Sequence, residues 1–261
     1  MELTIASWNV NSIRARLSHV LTWLDDRKPD VLLLQETKVE NGLFPREPFE
    51  ERGMHVLASG QKALNGVAVV SRHHPELLGE TLSSGFLADQ RRVLRVRIMG
   101  ITLMDVYVPN GGDTSGERFA DKLRFLEELA REAELSSQER YMLMAGDFNV
   151  APGEDDVTDA KVMDGRLCFH PEERTRFESI LRTGLTDLFR AFNPDGKAYS
   201  WWDYREGSFR RNAGMRLDHI LVSPALAAAA RSCTIDREPR SWDRPSDHAP
   251  VSAVFELPAM E

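Results

Sequence analysis

Short apolar runs of strand length alternate with helical periodicities along the whole 261-residue chain, and no low-complexity linker separates them. That pattern predicts one α/β domain, residues 1–261, built on two β-sheets. A further observation says where its chemistry would lie. Strand after strand ends in a polar residue: Asn9, Glu36, Tyr107 with Asn110, Asp147 with Asn149, Asp218, and Asp247-His248. Strand ends on one edge of an α/β sheet converge on a crevice.

The elements follow in order. Leu3–Trp8 reads as a strand closed by Asn9-Val-Asn11-Ser12, after which Ile13, Leu17, Val20, Leu21 and Leu24 recur at helical spacing with Asn11 or Ser12 as N-cap. Pro29-Asp30 ends the helix, and Val31–Leu34 is a buried strand leading into Gln35-Glu36-Thr37. Gly66–Ser71 is another. Residues 92–99 and 101–108 form a hairpin about Gly100. Phe119, Leu123, Leu126 and Ala130 mark an amphipathic helix. The central strand, Tyr141–Ala145, stops abruptly at Gly146-Asp147-Phe148-Asn149, where the Gly leaves room for close backbone approach and Asp147 and Asn149 project to one side. Residues 151–170 read as a long loop. Phe177, Ile180 and Leu181 give a helix ended near Gly184, and 216–222 and 251–256 are strands. Both halves pair strand ends with Asn or Asp, which hints at a duplicated plan.

Composition is that of an ordinary globular protein, 42% hydrophobic and 28% charged. No apolar stretch approaches the roughly 18 residues of a membrane span. The start, Met1-Glu-Leu-Thr-Ile, enters a strand at once, which argues against a secretory signal. Cys168 and Cys233 are too few for a disulfide framework or a structural zinc site, so a reducing cytoplasm is expected. The net charge of −8 points away from nucleic acid, but binding depends on where charges lie, and a carboxylate metal site would add to the acidic balance.

If the strand ends converge, the site is rich in oxygen, with no cysteine and one imidazole. Such a set suits a hard cation, Mg²⁺ or Mn²⁺, rather than zinc. Each member also has an ordinary reading: Glu36 as a turn cap, Tyr107 as a sheet residue, Asp218 paired to a basic neighbour, Asp247 as a plain turn. Those readings leave the coincidence unexplained. His19, His55, His73, His74, His170 and His219 are read as structural.

Trp8-Asn-Val-Asn11, Leu34-Gln-Glu-Thr-Lys38, Gly66-Val-Ala68, Tyr107-Val-Pro-Asn-Gly111, Gly146-Asp-Phe-Asn149, Arg216-Leu-Asp218 and Pro245-Ser-Asp-His-Ala-Pro250 together resemble the exonuclease III family of apurinic/apyrimidinic (AP) endonucleases. Seven blocks in the family's order span residues 3 to about 256, a very specific match. The resemblance implies the DNase I-like fold: a four-layer α/β sandwich of two packed mixed β-sheets flanked by helices. It also implies Mg²⁺-dependent hydrolysis of DNA phosphodiesters, 5′ to AP sites and at 3′ ends, in double-stranded DNA.

The same resemblance implies roles. Glu36 and Asp247, helped by Asn9 and Asn11, match the metal group. Asp147 matches the residue that activates or orients the attacking water and serves a second metal, with Asn149 beside it. Asn149 and Tyr107 would hold phosphate oxygens. His248 would contact the phosphate, with Asp218 orienting its ring. In Tyr199-Ser-Trp201-Trp-Asp-Tyr204 and beyond, Trp201, Met215 and Leu217 match the pocket for a flipped-out baseless sugar, Met215 replacing an aromatic of relatives. Asn110 joins the DNA-contacting set. Arg91, Arg92, Arg205, Arg210, Arg211 and Arg216 would supply phosphate contacts. In relatives, residues 151–170 lie by the lesion and balance AP incision against 3′-end work; Cys168 there is small enough to leave the pocket open. The competing readings are a phosphohydrolase of the same fold acting on small or lipid phosphoesters, and a catalytically dead DNA-binding module, which would be expected to lack one of Glu36, Asp147, Asn149 or His248. Nothing in the chain suggests an obligate oligomer, and a monomer is expected.

Overall fold

In this computed structural model, which describes residues 1–258, two six-stranded sheets pack face to face. The chain runs β1 (Glu2–Asn9), α1 (Ile13–Arg27), β2 (Val31–Gln35), α2 (Glu47–Glu50), β3 (His55–Ser59), β4 (Val67–Ser71), β5 (Glu76–Gly79), β6 (Val93–Ile98), β7 (Ile101–Tyr107), α3 (Glu117–Leu135), β8 (Met142–Asp147), α4 (Ala160–Met163), α5 (Pro171–Arg182), β9 (Thr186–Asp187), α6 (Leu188–Phe192), β10 (Asp218–Val222), α7 (Pro224–Ala229), β11 (Ala230–Ile235) and β12 (Val251–Glu256). Strand order is β11-β12-β1-β2-β4-β3 in one sheet and β5-β6-β7-β8-β10-β9 in the other. Each sheet has one parallel pair, β1–β2 and β7–β8, and antiparallel neighbours around it. A parallel pair needs a long crossover, and α1 and α3 supply it. The two sheets thus repeat one plan.

Alternation along the strands explains the fully apolar runs. Leu33 and Leu143 point into the space between the sheets, while Leu32 and Met144 point outward. The outward side chains are covered by Trp23 and Leu24 of α1 on one sheet and by Phe125, Leu126 and Phe177 of α3 and α5 on the other. Strands buried on both faces need apolar residues at every position. Full burial of each contributes about 1.5–3 kcal/mol.

One polar link crosses the inter-sheet core. Gln35 Nε2 donates to Ser7 Oγ (3.0 Å) and to Asp105 Oδ1 (2.7 Å), and all three residues are fully buried. Burial pushes the Asp105 carboxyl well above the usual range. The link anchors the residue immediately before Glu36.

Several expectations change. The buried residues of α3 are Phe119, Lys122, Phe125, Leu126, Glu128, Leu129, Glu132 and Ala133, with Leu123 and Ala130 half-buried, because a lysine and two glutamates are buried beside its apolar stripe. Neither Asn11 nor Ser12 caps α1 with a side chain; instead the Ser12 and Ile13 N–H groups donate to the Glu36 and Thr37 carbonyls at 2.7 and 3.2 Å. Residues 151–170 are not an open loop: Val157, Cys168 and Phe169 are buried against Leu217, and α4 lies within the stretch. Strands β3, β5, β9 and β11 add to those expected. Both cysteines are free and buried. No helix of the described residues is long and apolar enough to cross a membrane.

Candidate active site

The C-terminal ends of the parallel strands bring the polar residues together. Asn9 pairs in register with Gln35, Tyr107 with Asp147, and Asp218 with Asp147. The pairing of Tyr107 with Asp147 needs Gly146. Its φ is 149°, and a Cβ there would lie 1.9 Å from the Val106 carbonyl oxygen. Any side chain would force β7 and β8 apart. Past the strand, Asn149 takes a left-handed φ of 51°, which asparagine tolerates, and its N–H donates to Asp147 Oδ1 (2.8 Å). Asp147 therefore caps its own turn with one oxygen and offers the other to the cavity.

That second oxygen is crowded with partners. Asn9 Nδ2 donates to both Asp147 Oδ2 (2.9 Å) and Glu36 Oε1 (2.8 Å), bridging two carboxylates. One ligand atom each from Glu36, Asp147 and His248 lies within 4.8 Å of the others. Lys38 Nζ sits 2.7 Å from Glu36 Oε2 and donates to Asn11 Oδ1 (2.6 Å). Burial, with Asp218 and Glu36 nearby, pushes the Asp147 carboxyl up to about 7 against the opposing pull of His248. Burial and the same two carboxylates, Glu36 and Asp147, hold the Tyr107 hydroxyl in its protonated form, and the Arg92 guanidinium stacks 4.7 Å over its ring.

His248 lies between carboxylates. Its Nδ1 is 2.8 Å from Asp218 Oδ2, and its Nε2 is 3.6 Å from Asp147 Oδ2. Burial alone would disfavour the imidazolium, but Asp218, Asp147 and Asp247 together outweigh it and push His248 up to about 10. Near neutrality the ring carries both protons. Trp8 Nε1 holds the His248 carbonyl (3.1 Å), fixing the backbone beneath.

The far wall is apolar. Leu167, Cys168, Trp201, Met215 and Leu217 join Glu36, Tyr107, Asn110, Asp147, Asn149, Asp247 and His248 around a cavity of about 400 Å³. Trp201 Nε1 donates to Asp247 Oδ2 (3.0 Å), and Asn11 Nδ2 to its Oδ1 (3.0 Å). Although burial favours the neutral acid, His248 and these donors hold the Asp247 carboxyl below its usual range. Asn110 Nδ2 reaches Asn149 Oδ1 (3.2 Å). Arg210 is exposed on the rim's loop, and Arg91 pairs with Glu80 (3.1 Å) while staying 40% exposed.

One expectation is corrected by this geometry. Arg216 is no surface phosphate contact: it is 1% exposed and locked to Asp156 (2.6 Å) and Asp187 (2.7 Å), because a buried guanidinium needs its charge matched. Asn9 and Asn11 donate through Nδ2 to Glu36, Asp147 and Asp247, and so orient the carboxylates of the expected metal group. Three participants were not read from the sequence: Lys38 on Glu36, and the buried pair Lys122–Glu173 beneath Asn110 and Asn149. Lys38 was visible two residues beyond Glu36; the other two carried no local signal.

Known proteins match this arrangement. The profile of the endonuclease/exonuclease/phosphatase family matches residues 6–248. Exodeoxyribonuclease III of Haemophilus influenzae is 33% identical, over 95% of this chain and 98% of its own. An AP endonuclease from Archaeoglobus fulgidus superposes with a TM-score of 0.94 at 40% identity, covering 98% of this chain and 100% of the other. The 3′-5′ exonuclease NExo of Neisseria meningitidis gives 0.94 at 39% identity with the same coverage, and a structure described as 3′ phosphatase NExo from Neisseria holds a product DNA hairpin. The DNase I-like fold and the family resemblance carried by the seven motifs are both borne out: the chain belongs to the endonuclease/exonuclease/phosphatase family, in its exodeoxyribonuclease III group.

Proposed function

We propose that this chain cleaves DNA phosphodiesters 5′ to AP sites and removes nucleotides or blocking groups from 3′ ends, using Mg²⁺, with Mn²⁺ as a substitute. The observation that supports it best is the junction of two unlike walls in one cavity: carboxylates and a charged imidazole on one side, Trp201, Met215 and Leu217 on the other. A baseless sugar is small and weakly polar, and its extrusion from the duplex is cheap because no base is stacked.

The donor set fits a divalent cation. Oxygens of Glu36 and Asp147 lie within 4.8 Å of each other, and burial with neighbouring carboxylates has driven the Asp147 carboxyl up to about 7, as expected of clustered acids. Glu36, Asp147 and Asp247 would hold the ion, with Asn149 adjoining. When bound it supplies charge neutralisation at the phosphate and the leaving 3′ oxygen. Asp147 Oδ2 faces the cavity and accepts the proton of the attacking water. Tyr107 and Asn149 hold phosphate oxygens, and the His248 Nε2–H is a charged donor to the developing oxyanion, worth about 10²–10³ in rate. Asp218 keeps that proton in place. Arg91 and Arg210 would meet flanking phosphates, and the protein would act as a cytoplasmic monomer.

The A. fulgidus AP endonuclease and the Neisseria exonuclease resemble this chain equally, so rates must rank the activities. Duplexes with one AP site, a recessed 3′ end or a 3′-phosphate at a nick, each with Mg²⁺ or EDTA, make the test. Metal-dependent AP incision is expected, and 3′ trimming alone would remove the pocket from the proposal. Inactivity on all three with turnover of small phosphoesters would replace it.

A further inference from the structure

We propose that Lys122 is a positioning residue of the active site, its ammonium holding the backbones of Asn110 and Asn149 at a fixed separation from beneath; the inference rests on the DNA-cleavage reading above. Lys122 belongs to α3, is fully buried and does not line the cavity. Its Nζ donates to the Asn110 carbonyl (3.1 Å) and the Asn149 carbonyl (2.7 Å), and pairs with Glu173. An ammonium has three protons, and these contacts use them all.

Glu173 extends the clamp to a third segment. Its carboxylate, also fully buried, accepts the N–H groups of Cys168 (3.2 Å) and His170 (2.9 Å). One ion pair thus joins the β7–α3 loop, the turn after β8 and the strip before α5. Above it the side chains face the cavity: Asn110 Nδ2 meets Asn149 Oδ1, while Asn149 Nδ2 donates to the Val108 carbonyl (3.0 Å) and reaches Asp147 Oδ2 (3.3 Å). Asn149 is in a left-handed conformation, so tethering its carbonyl also fixes the direction of its amide. Stability alone does not account for the arrangement, since buried ion pairs are often matched by apolar residues of similar volume. Holding two amides in line does require it, because small misplacements of substrate-positioning groups cost large factors in rate.

The test compares wild type, Glu173→Gln and the double variant Lys122→Met/Glu173→Gln. Glu173 Oε1 accepts the Cys168 N–H and Oε2 the His170 N–H, so the glutamine keeps one of these two acceptors, and the double variant leaves no buried charge unmatched. The double variant is expected to fold, with kcat on an AP duplex down about tenfold or more, KM within about threefold, and faster amide exchange at residues 108–112 and 148–151 but not in the sheets. Recovered stability with wild-type kcat, or unchanged exchange, would overturn the proposal. Glu173→Gln keeps the lysine on both carbonyls, so its loss of kcat should be smaller than that of the double variant. A folded Glu173→Gln that loses tenfold in kcat with unchanged exchange at residues 108–112 and 148–151 would place the effect outside the lysine's backbone contacts and overturn the proposal even if the double variant did not fold. Wild type on the same duplex reports separately on the cleavage reading, and the exchange data do not depend on it.

Discussion

Replacing Asp218 with asparagine removes the largest support of the charge on His248. Asp218 is fully buried, and its Oδ2 lies 2.8 Å from His248 Nδ1, while its Oδ1 has no hydrogen-bond partner among the described residues, so a carboxamide of the same shape fits without breaking another bond. The amide oxygen can still accept the Nδ1 proton but contributes no negative charge. Of the groups that favour the imidazolium, Asp218 is the largest, and without it His248 falls from about 10 toward its ordinary value. The neutral ring keeps its proton on Nδ1 and turns a lone pair on Nε2 toward the phosphate. Losing that one donor costs about 10²–10³ in kcat, or roughly 3–4 kcal/mol of transition-state stabilisation. The sign with pH follows. Protonation of the variant's His248 restores the donor, so the ratio of variant to wild-type kcat should rise as pH falls from about 8 to about 6. Single-turnover cleavage of an AP duplex at saturating Mg²⁺, with Tm measured alongside, gives the answer. A variant with wild-type kcat, or a ratio constant across that pH range, would refute the role given to Asp218.

Other substitutions divide the site. Asp147→Asn should abolish turnover while duplex affinity, measured by fluorescence anisotropy, survives within about tenfold, because phosphate contacts position DNA independently of the chemistry. Trp201→Ala should slow AP-site incision more than 3′-end trimming; equal losses would mean the side chain serves only to hold Asp247. Arg216→Met takes the shared guanidinium from Asp156 and Asp187, leaving Asp156 its pair with Arg190, and should cost about 3–5 kcal/mol in urea unfolding. Both carboxyls are ionised below their usual range: burial opposes this, but Arg216 outweighs it, helped by Arg190 at Asp156 and by His219 at Asp187. Their contribution to stability is therefore complete above about pH 4 and lost as pH falls through the folded-state values. A pH–stability curve for Arg216→Met should lose much of that acid slope, and an unchanged slope would contradict the assignment.

The strands that position the site were legible because their positions are buried on both faces. Val31–Leu34 and Met142–Ala145 are apolar throughout, and the turn that ends each carries its functional group. Edge strands were not legible. His55–Ser59 and Ala230–Ile235 each have one open side and polar residues, and β9 is two residues long, so pairing rather than pattern defines them. The same physics hid Lys122, Glu173 and Arg216. A charged residue reads as solvent-facing until its partner is found, and those partners lie 51 residues away for Lys122 and 60 and 29 for Arg216. Motif spacing located the site; only the fold shows which of its asparagines donate to carboxylates.

Product analysis of one cleaved AP duplex tests the central claim most directly. Wild-type protein with Mg²⁺ is expected to make a single cut immediately 5′ to the baseless sugar, leaving a 3′-hydroxyl, with EDTA preventing it. A cut 3′ to the sugar, incision that persists in EDTA, or an intact duplex with folded protein and metal would contradict the account.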